Sequence, residues 1–172
     1  SLYMEMLEDA VVKAKTGNRA YEKVDSAIEI PVTAYFPKTY IPEEETRVEL
    51  YSRLARCKDL ELLSEIKEEC EDRFGPLPSE ALALYAISRL RVLAVKANVV
   101  KVTRVINHLR FEFSKNKLPD IGRVFSTGSD ILSGVYFDSF DPNAINLKID
   151  DNATEVIFDN AANLLTIFAD SF

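Results

Sequence analysis

The sequence predicts an α+β fold: an N-terminal helical half followed by a ββαββα-like half. Two observations carry this. From Pro42 to Ala97 apolar residues recur at helical spacing in three successive runs, the signature of amphipathic helices. After Asn98 the pattern changes to short runs rich in Val, Ile, Phe and Tyr, broken by turn residues as strands are.

Taken in order, Leu2–Lys15 reads as a helix, with Leu7, Ala10, Val11 and Ala14 on one stripe and Gly17-Asn18 as its stop. The chain opens inside this helix, and further sequence is expected upstream. Arg19–Asp25 is polar and reads as a linker. Ser26–Phe36 reads as a strand that Pro31 restricts to an edge or a bulge. Pro42 suits the first turn of a helix, where its missing N–H costs little. Glu43, Glu44 and Glu45 add negative charge at the positive end of the helix dipole. Val48, Tyr51, Leu54 and Ala55 form the stripe of that helix. Asp59 is placed to cap a second helix, in which Leu63, Ile66, Cys70 and Phe74 share a face. Gly75 suits a left-handed C-cap and Pro76 prevents continuation. Ser79 is expected to cap a third helix, with a stripe of Leu82, Ala86, Leu90, Leu93 and Ala97 and a stop at Asn98.

In the second half, VVKVTRV and LRFEFS flank Ile106-Asn107-His108 and read as a β-hairpin. Pro119–Phe125 reads as a short helix, Gly134–Ser139 and Ala144–Ile149 as strands, and Ala153–Ala169 as a closing helix. Neither an internal repeat nor a low-complexity tract is visible.

Composition is that of an ordinary globular chain, with 47% hydrophobic and 28% charged residues in 172. No apolar run approaches the roughly 18 residues needed to span a bilayer, and no secretory signal is visible. Cys57 and Cys70, both placed on predicted helices, lack metal-ligand spacing, and reduced thiols in a cytoplasmic protein are the default. The net charge of −7 opposes the phosphate neutralisation that drives non-specific DNA binding. That charge is concentrated: Asp59–Arg73 carries seven carboxylates against Lys67 and Arg73, a net −5.

Catalytic signatures are missing. There is neither a G-x-x-x-x-G-K-[ST] nor a G-x-G-x-x-G phosphate cradle. The single histidine, His108, falls in a predicted turn. Carboxylates abound on the second helix, but they face solvent by pattern, whereas a catalytic pair needs environments that separate its pKa values. At about 100° per residue, Glu61, Glu65, Glu68 and Asp72 lie opposite the Leu63/Ile66/Cys70/Phe74 stripe, and Glu69 and Arg73 lie on its flank. Glu65, Glu69, Asp72 and Arg73 therefore form a charged ledge. It reads either as a solvated helix face or as a docking surface for a basic partner. On the preceding helix Arg47 falls within the apolar stripe, either as an amphipathic side chain at the core edge or in an ion pair. Arg53 and Arg56 point away from the stripe and read as solvated.

The run Tyr40–Pro78 resembles the C-terminal domain of the bacterial transcription-repair coupling factor, Mfd. The residues that carry the resemblance are Tyr40-Ile41-Pro42, Arg47-Val48, Tyr51, Arg53-Leu54-Ala55 and Asp72-Arg73-Phe74-Gly75-Pro76-Leu77-Pro78. Arg89-Leu90-Arg91 and Ala94 also fit, and Leu2–Ala10 resembles the helix that follows the motor in that family. Val48 departs from the more usual Leu. The resemblance covers roughly residues 2–97.

The resemblance implies an ATP-dependent DNA translocase that displaces stalled RNA polymerase and recruits UvrA for nucleotide excision repair. The motor, with its ATP and Mg, would lie upstream, leaving residues 1–20 as a trailing helix and linker and 21–172 as a non-catalytic regulatory domain without cofactor. This domain would contact an intramolecular UvrB-like module and mask its UvrA-binding surface, through Glu69, Asp72 and Arg73 by motif position. An alternative is a module that binds DNA or RNA polymerase directly. The later Lys101, Arg104, Arg110, Lys115 and Lys117 form a modest basic cluster that such a module could use.

Overall fold

A computed structural model of the chain describes residues 26–172. The expected helix Leu2–Lys15 and linker Arg19–Asp25 lie outside the described residues. The described chain forms two compact units, one of Pro31–Val92 and one of residues 26–30 with Leu93–Phe172. The elements are α+β in the expected order: a short strand, three helices, then strands and shorter helices, then a final helix.

In the first unit, α1 spans Glu44–Arg56. Its N-cap is Glu43, in extended backbone, with Glu44 and Glu45 in the first turn. Pro42 precedes the cap and does not enter the helix. α2 spans Leu60–Phe74, and the Asp59 side chain accepts a 2.7 Å hydrogen bond from the Glu61 N–H, as a capping residue should. α3 spans Ser79–Lys96, its residues from Leu93 on belonging to the second unit, and the carbonyl of Pro78 accepts from the N–H groups of Ala81 and Leu82. Ser79 is thus already helical and does not cap; its hydroxyl contacts the Glu80 carboxylate. The stripe expected on α3 is also too simple. Leu82 is exposed, while Ala81, Leu84, Tyr85, Ile87 and Leu90 are buried. A helix apolar on most sides has no single face for spacing to find.

α2 stops at Gly75, whose N–H donates to the Glu71 carbonyl at 2.9 Å. The backbone there has φ 86° and ψ −170°, a conformation open essentially only to glycine. The sign of φ fits the expected cap, but ψ lies outside the left-handed helical well. No atom lies within 4 Å of a Cβ built at this position, so a substitution meets strain without collision. Gly75→Ala is expected to destabilise the unit by about 1–3 kcal/mol, read as a lower urea midpoint. An unchanged midpoint would refute the strain argument.

The second unit is built on a five-stranded sheet, with β1 (Ala27–Glu29), β2 (Val99–Val105), β3 (His108–Phe113), β4 (Val135–Phe137) and β5 (Ala144–Lys148) in the order β1-β2-β3-β5-β4. β1 runs parallel to β2 and the other pairs are antiparallel. The strand expected over Ser26–Phe36 is only three residues long and lies at the sheet edge, one residue short of Pro31. Proline cannot donate to the ladder. The hairpin turn is Ile106-Asn107 alone. His108 opens β3 opposite Val105, with its ring edge-on to Tyr136.

β3 alternates buried Leu109, Phe111 and Phe113 with half-exposed His108, Arg110 and Glu112, so one sheet face carries the core. α5 (Thr154–Ala169) buries Ile157, Phe158, Ala161, Leu164, Leu165 and Phe168. The Phe168 ring meets those of Phe111 and Phe113 edge-on, at 5.8 and 5.1 Å between centroids. The short helix α4 is Ile121–Ser126, capped by Asp120, and a 3-10 turn at Asp130–Gly134 precedes β4. No described helix is long and apolar enough to cross a membrane.

On the other sheet face Arg110 meets Glu112, Asp138 and Asp141 at 3.1, 3.4 and 2.7 Å. Asp138 also accepts from the N–H groups of Phe140 and Asp141 and from Asn146. The Phe140 and Asp141 N–H groups, more than any other partner, hold its carboxyl down at about 2. A folded-state pKa below the unfolded value stabilises above the ordinary carboxylate range, and that contribution is lost as pH falls toward about 2. Asp138→Asn is therefore expected to flatten the fall in melting temperature between pH ~4 and ~2. An acid limb of unchanged steepness would contradict this.

Candidate partner-docking surface

The four ledge residues lie on α2. Glu65, Asp72 and Arg73 are exposed and Glu69 is half-buried. They do not behave alike. The carboxylates of Glu65 and Asp72 form no hydrogen bond or ion pair among the described residues. Glu69 is engaged from two sides: its Oε2 accepts from Arg53 Nη1 at 2.7 Å and from Arg73 Nη1 at 3.1 Å. Its carboxyl is held below the ordinary value, chiefly by the hydrogen bond from Arg53. The Arg73 guanidinium also lies 4.9 Å from the centroid of the Phe74 ring, a cation–π distance. The ledge therefore carries both signs of charge: an unpaired carboxylate at Asp72 next to a guanidinium held by Glu69 and Phe74, and a second unpaired carboxylate at Glu65 about two turns earlier.

Arg53 is not solvated as its own helix suggested. It reaches from α1 to Glu69 on α2 and lies 3.8 Å from Glu49. A helical wheel of α1 shows the outward direction but not the helix that fills it. A carboxylate on the neighbouring helix, Glu69, was the available signal.

The motif residues around the ledge support it structurally. The Tyr40 hydroxyl donates to the carbonyls of Gly75 and Cys70 at 2.7 and 3.2 Å, tying the loop before α1 to the end of α2. Its ring packs edge-on against Phe74. Ile41 is fully buried. Arg47, only 6% exposed, donates through Nη1 to the carbonyls of Ile41 and Pro42 at 2.8 and 3.0 Å. It thus anchors the loop before α1 and does not lie at the core edge with its head in water. Tyr51 accepts from the Phe36 N–H at 2.7 Å. On the buried side of α2, Cys70 Sγ lies 3.4 Å from the Tyr85 hydroxyl, and burial pushes the thiol pKa up. Cys57, expected on a helix, is the residue that follows α1.

Other chemistry is sparse. A shallow groove of about 360 Å³ between α2 and α3 is lined by Leu60, Leu63, Leu82 and Tyr85, with Lys67 and Arg89 among its polar residues. Among the described residues no group of three or more His, Cys, Asp or Glu side chains is placed to hold a metal ion. Part of the basic cluster of the second half is engaged internally. Lys101 lies 3.5 Å from Glu29, Arg110 is held by three carboxylates, and Arg104 donates to Asn152.

Three helices and a five-stranded mixed sheet define a domain class whose fold has been seen before. The fold matches a solved structure, the crystal structure of the C-terminal domain of transcription-repair coupling factor, with a TM-score of 0.69 over 85% of this chain and 91% of that one, at 23% identity. The TRCF domain family matches residues 30–124, and the chain belongs to that family. It is 41% identical over 106 residues to the transcription-repair-coupling factor of Escherichia coli (59% of this chain, 9% of the relative). With that of Helicobacter pylori it shares 29% over 132 residues (77% and 13%). With that of Mycobacterium bovis it shares 33% over 115 residues (67% and 9%). The chain thus spans only about a tenth of the length of these relatives.

Proposed function

We propose that residues 21–172 act as a non-catalytic regulatory domain of a cytoplasmic transcription-repair coupling factor, with residues 1–20 trailing from its motor. The full protein uses ATP and Mg in that motor to translocate on DNA, displaces stalled RNA polymerase and recruits UvrA; this domain itself needs no cofactor. The domain docks on an intramolecular UvrB-like module through Glu65, Glu69, Asp72 and Arg73 and covers the surface that UvrA uses. One observation carries the reading: the Asp72 carboxylate stands unpaired next to an Arg73 already held by Glu69, with the Glu65 carboxylate unpaired about two turns earlier on α2, a face with charge left to offer. The pairing of Lys101 and Arg110 with carboxylates, with a net charge of −7, weighs against direct DNA binding.

The test is the UvrA affinity of the full-length protein carrying Glu69→Ala, Asp72→Ala and Arg73→Ala together. Affinity should rise. Unchanged affinity with an intact circular dichroism spectrum would reduce the ledge to a solvated face.

A further inference from the structure

We infer that Arg53, on α1, is a positioning residue of the docking ledge, acting on Arg73 through Glu69. The inference rests on the docking reading and names a residue outside the ledge that controls it. Glu69 and Arg73 are one turn apart on α2, and an exposed pair of this kind is weak and samples many rotamers. Here the shared oxygen, Glu69 Oε2, is also gripped at 2.7 Å by a guanidinium from a different helix. The Arg53 side chain is 31% exposed, against 43% for Arg73, so its grip is the better shielded of the two. Fixing Glu69 from α1 removes rotamer freedom from its carboxylate. The Arg73 guanidinium is then confined between that carboxylate at 3.1 Å and the Phe74 ring at 4.9 Å. Ordering a long side chain before binding reduces the entropy lost on docking. Without Arg53, Glu69 remains as a carboxylate but no longer holds Arg73 in one place.

The experiment uses the full-length protein, with UvrA affinity as the readout of undocking. Arg53→Gln is expected to tighten UvrA binding by about threefold to tenfold, within the coupling measured between contacting residues of one charge network. Arg53→Lys, which keeps a cation facing Glu69, should restore most of the masking. In a Glu69→Gln background, Arg53→Gln should add nothing, because the relay is already cut. A residue that merely stabilised α1 would lower the melting temperature and leave UvrA affinity where it was. If the triple alanine change at Glu69, Asp72 and Arg73 raises UvrA affinity while Arg53→Gln does not, the positioning role is wrong and the ledge stands. If the triple change also leaves affinity unmoved, the docking reading falls, and the role of Arg53 with it.

Discussion

Phe168→Ala is expected to destabilise the second unit by about 3–5 kcal/mol, the range for removing a buried aromatic ring. Phe168 has no exposed surface and is the α5 residue whose ring contacts both Phe111 and Phe113 on β3. Its loss removes the transfer free energy of the ring, two edge-on aromatic contacts and the packing that joins α5 to the sheet. Neighbouring rings too large to collapse into the gap place the cost toward the upper end. Since whole domains are stable by only about 5–15 kcal/mol, this one change takes a large share. Urea denaturation followed by circular dichroism measures it, with the slope checked for two-state behaviour. A loss below about 1 kcal/mol would mean that α5 is not seated on β3 through this ring.

The second large effect concerns activity. Asp72→Ala in the full-length protein is expected to raise basal translocase activity while the domain stays folded. Asp72 is exposed and unpaired, so its removal should cost the fold almost nothing. If it meets a cation across a desolvated contact, its loss strands that cation, typically at about 2–5 kcal/mol. Even the lower figure is roughly thirtyfold in the open-to-closed ratio, at ~1.4 kcal/mol per tenfold. The measurement is DNA-stimulated ATP turnover without RNA polymerase, compared with Glu61→Ala as a control on the same solvent face. Equal effects of the two changes would mean general charge reduction and no specific contact.

The parts of the fold that were legible in the sequence were those fixed by local chemistry. Asp59 and Gly75 bracket α2 because a cap and a positive-φ stop each act within one turn. The hairpin at Ile106-Asn107 and the buried alternation of β3 follow from neighbouring residues alone. Features decided at a distance were not legible. The edge position of β1 was legible from Pro31, but its partner β2, some seventy residues along the chain, was not, for example Ala27 with Lys101. Leu82 lies exposed because α3 is apolar on most sides and packing chose the face. The ledge was visible as a spacing pattern, but its division into free and engaged charges was not. That division comes from Arg53, on a different helix. The motif residues Tyr40, Ile41 and Arg47 marked the family, yet their roles, as lid and anchor of the α2 end and the loop before α1, needed three-dimensional contacts.

The most direct measurement is competition between this chain and UvrA for the isolated UvrB-like module. The docking account predicts that the chain binds the module, that UvrA displaces it, and that a chain with alanine at Glu69, Asp72 and Arg73 no longer competes. Simultaneous binding of the chain and UvrA to one module, or undiminished competition by the triple variant, would contradict it.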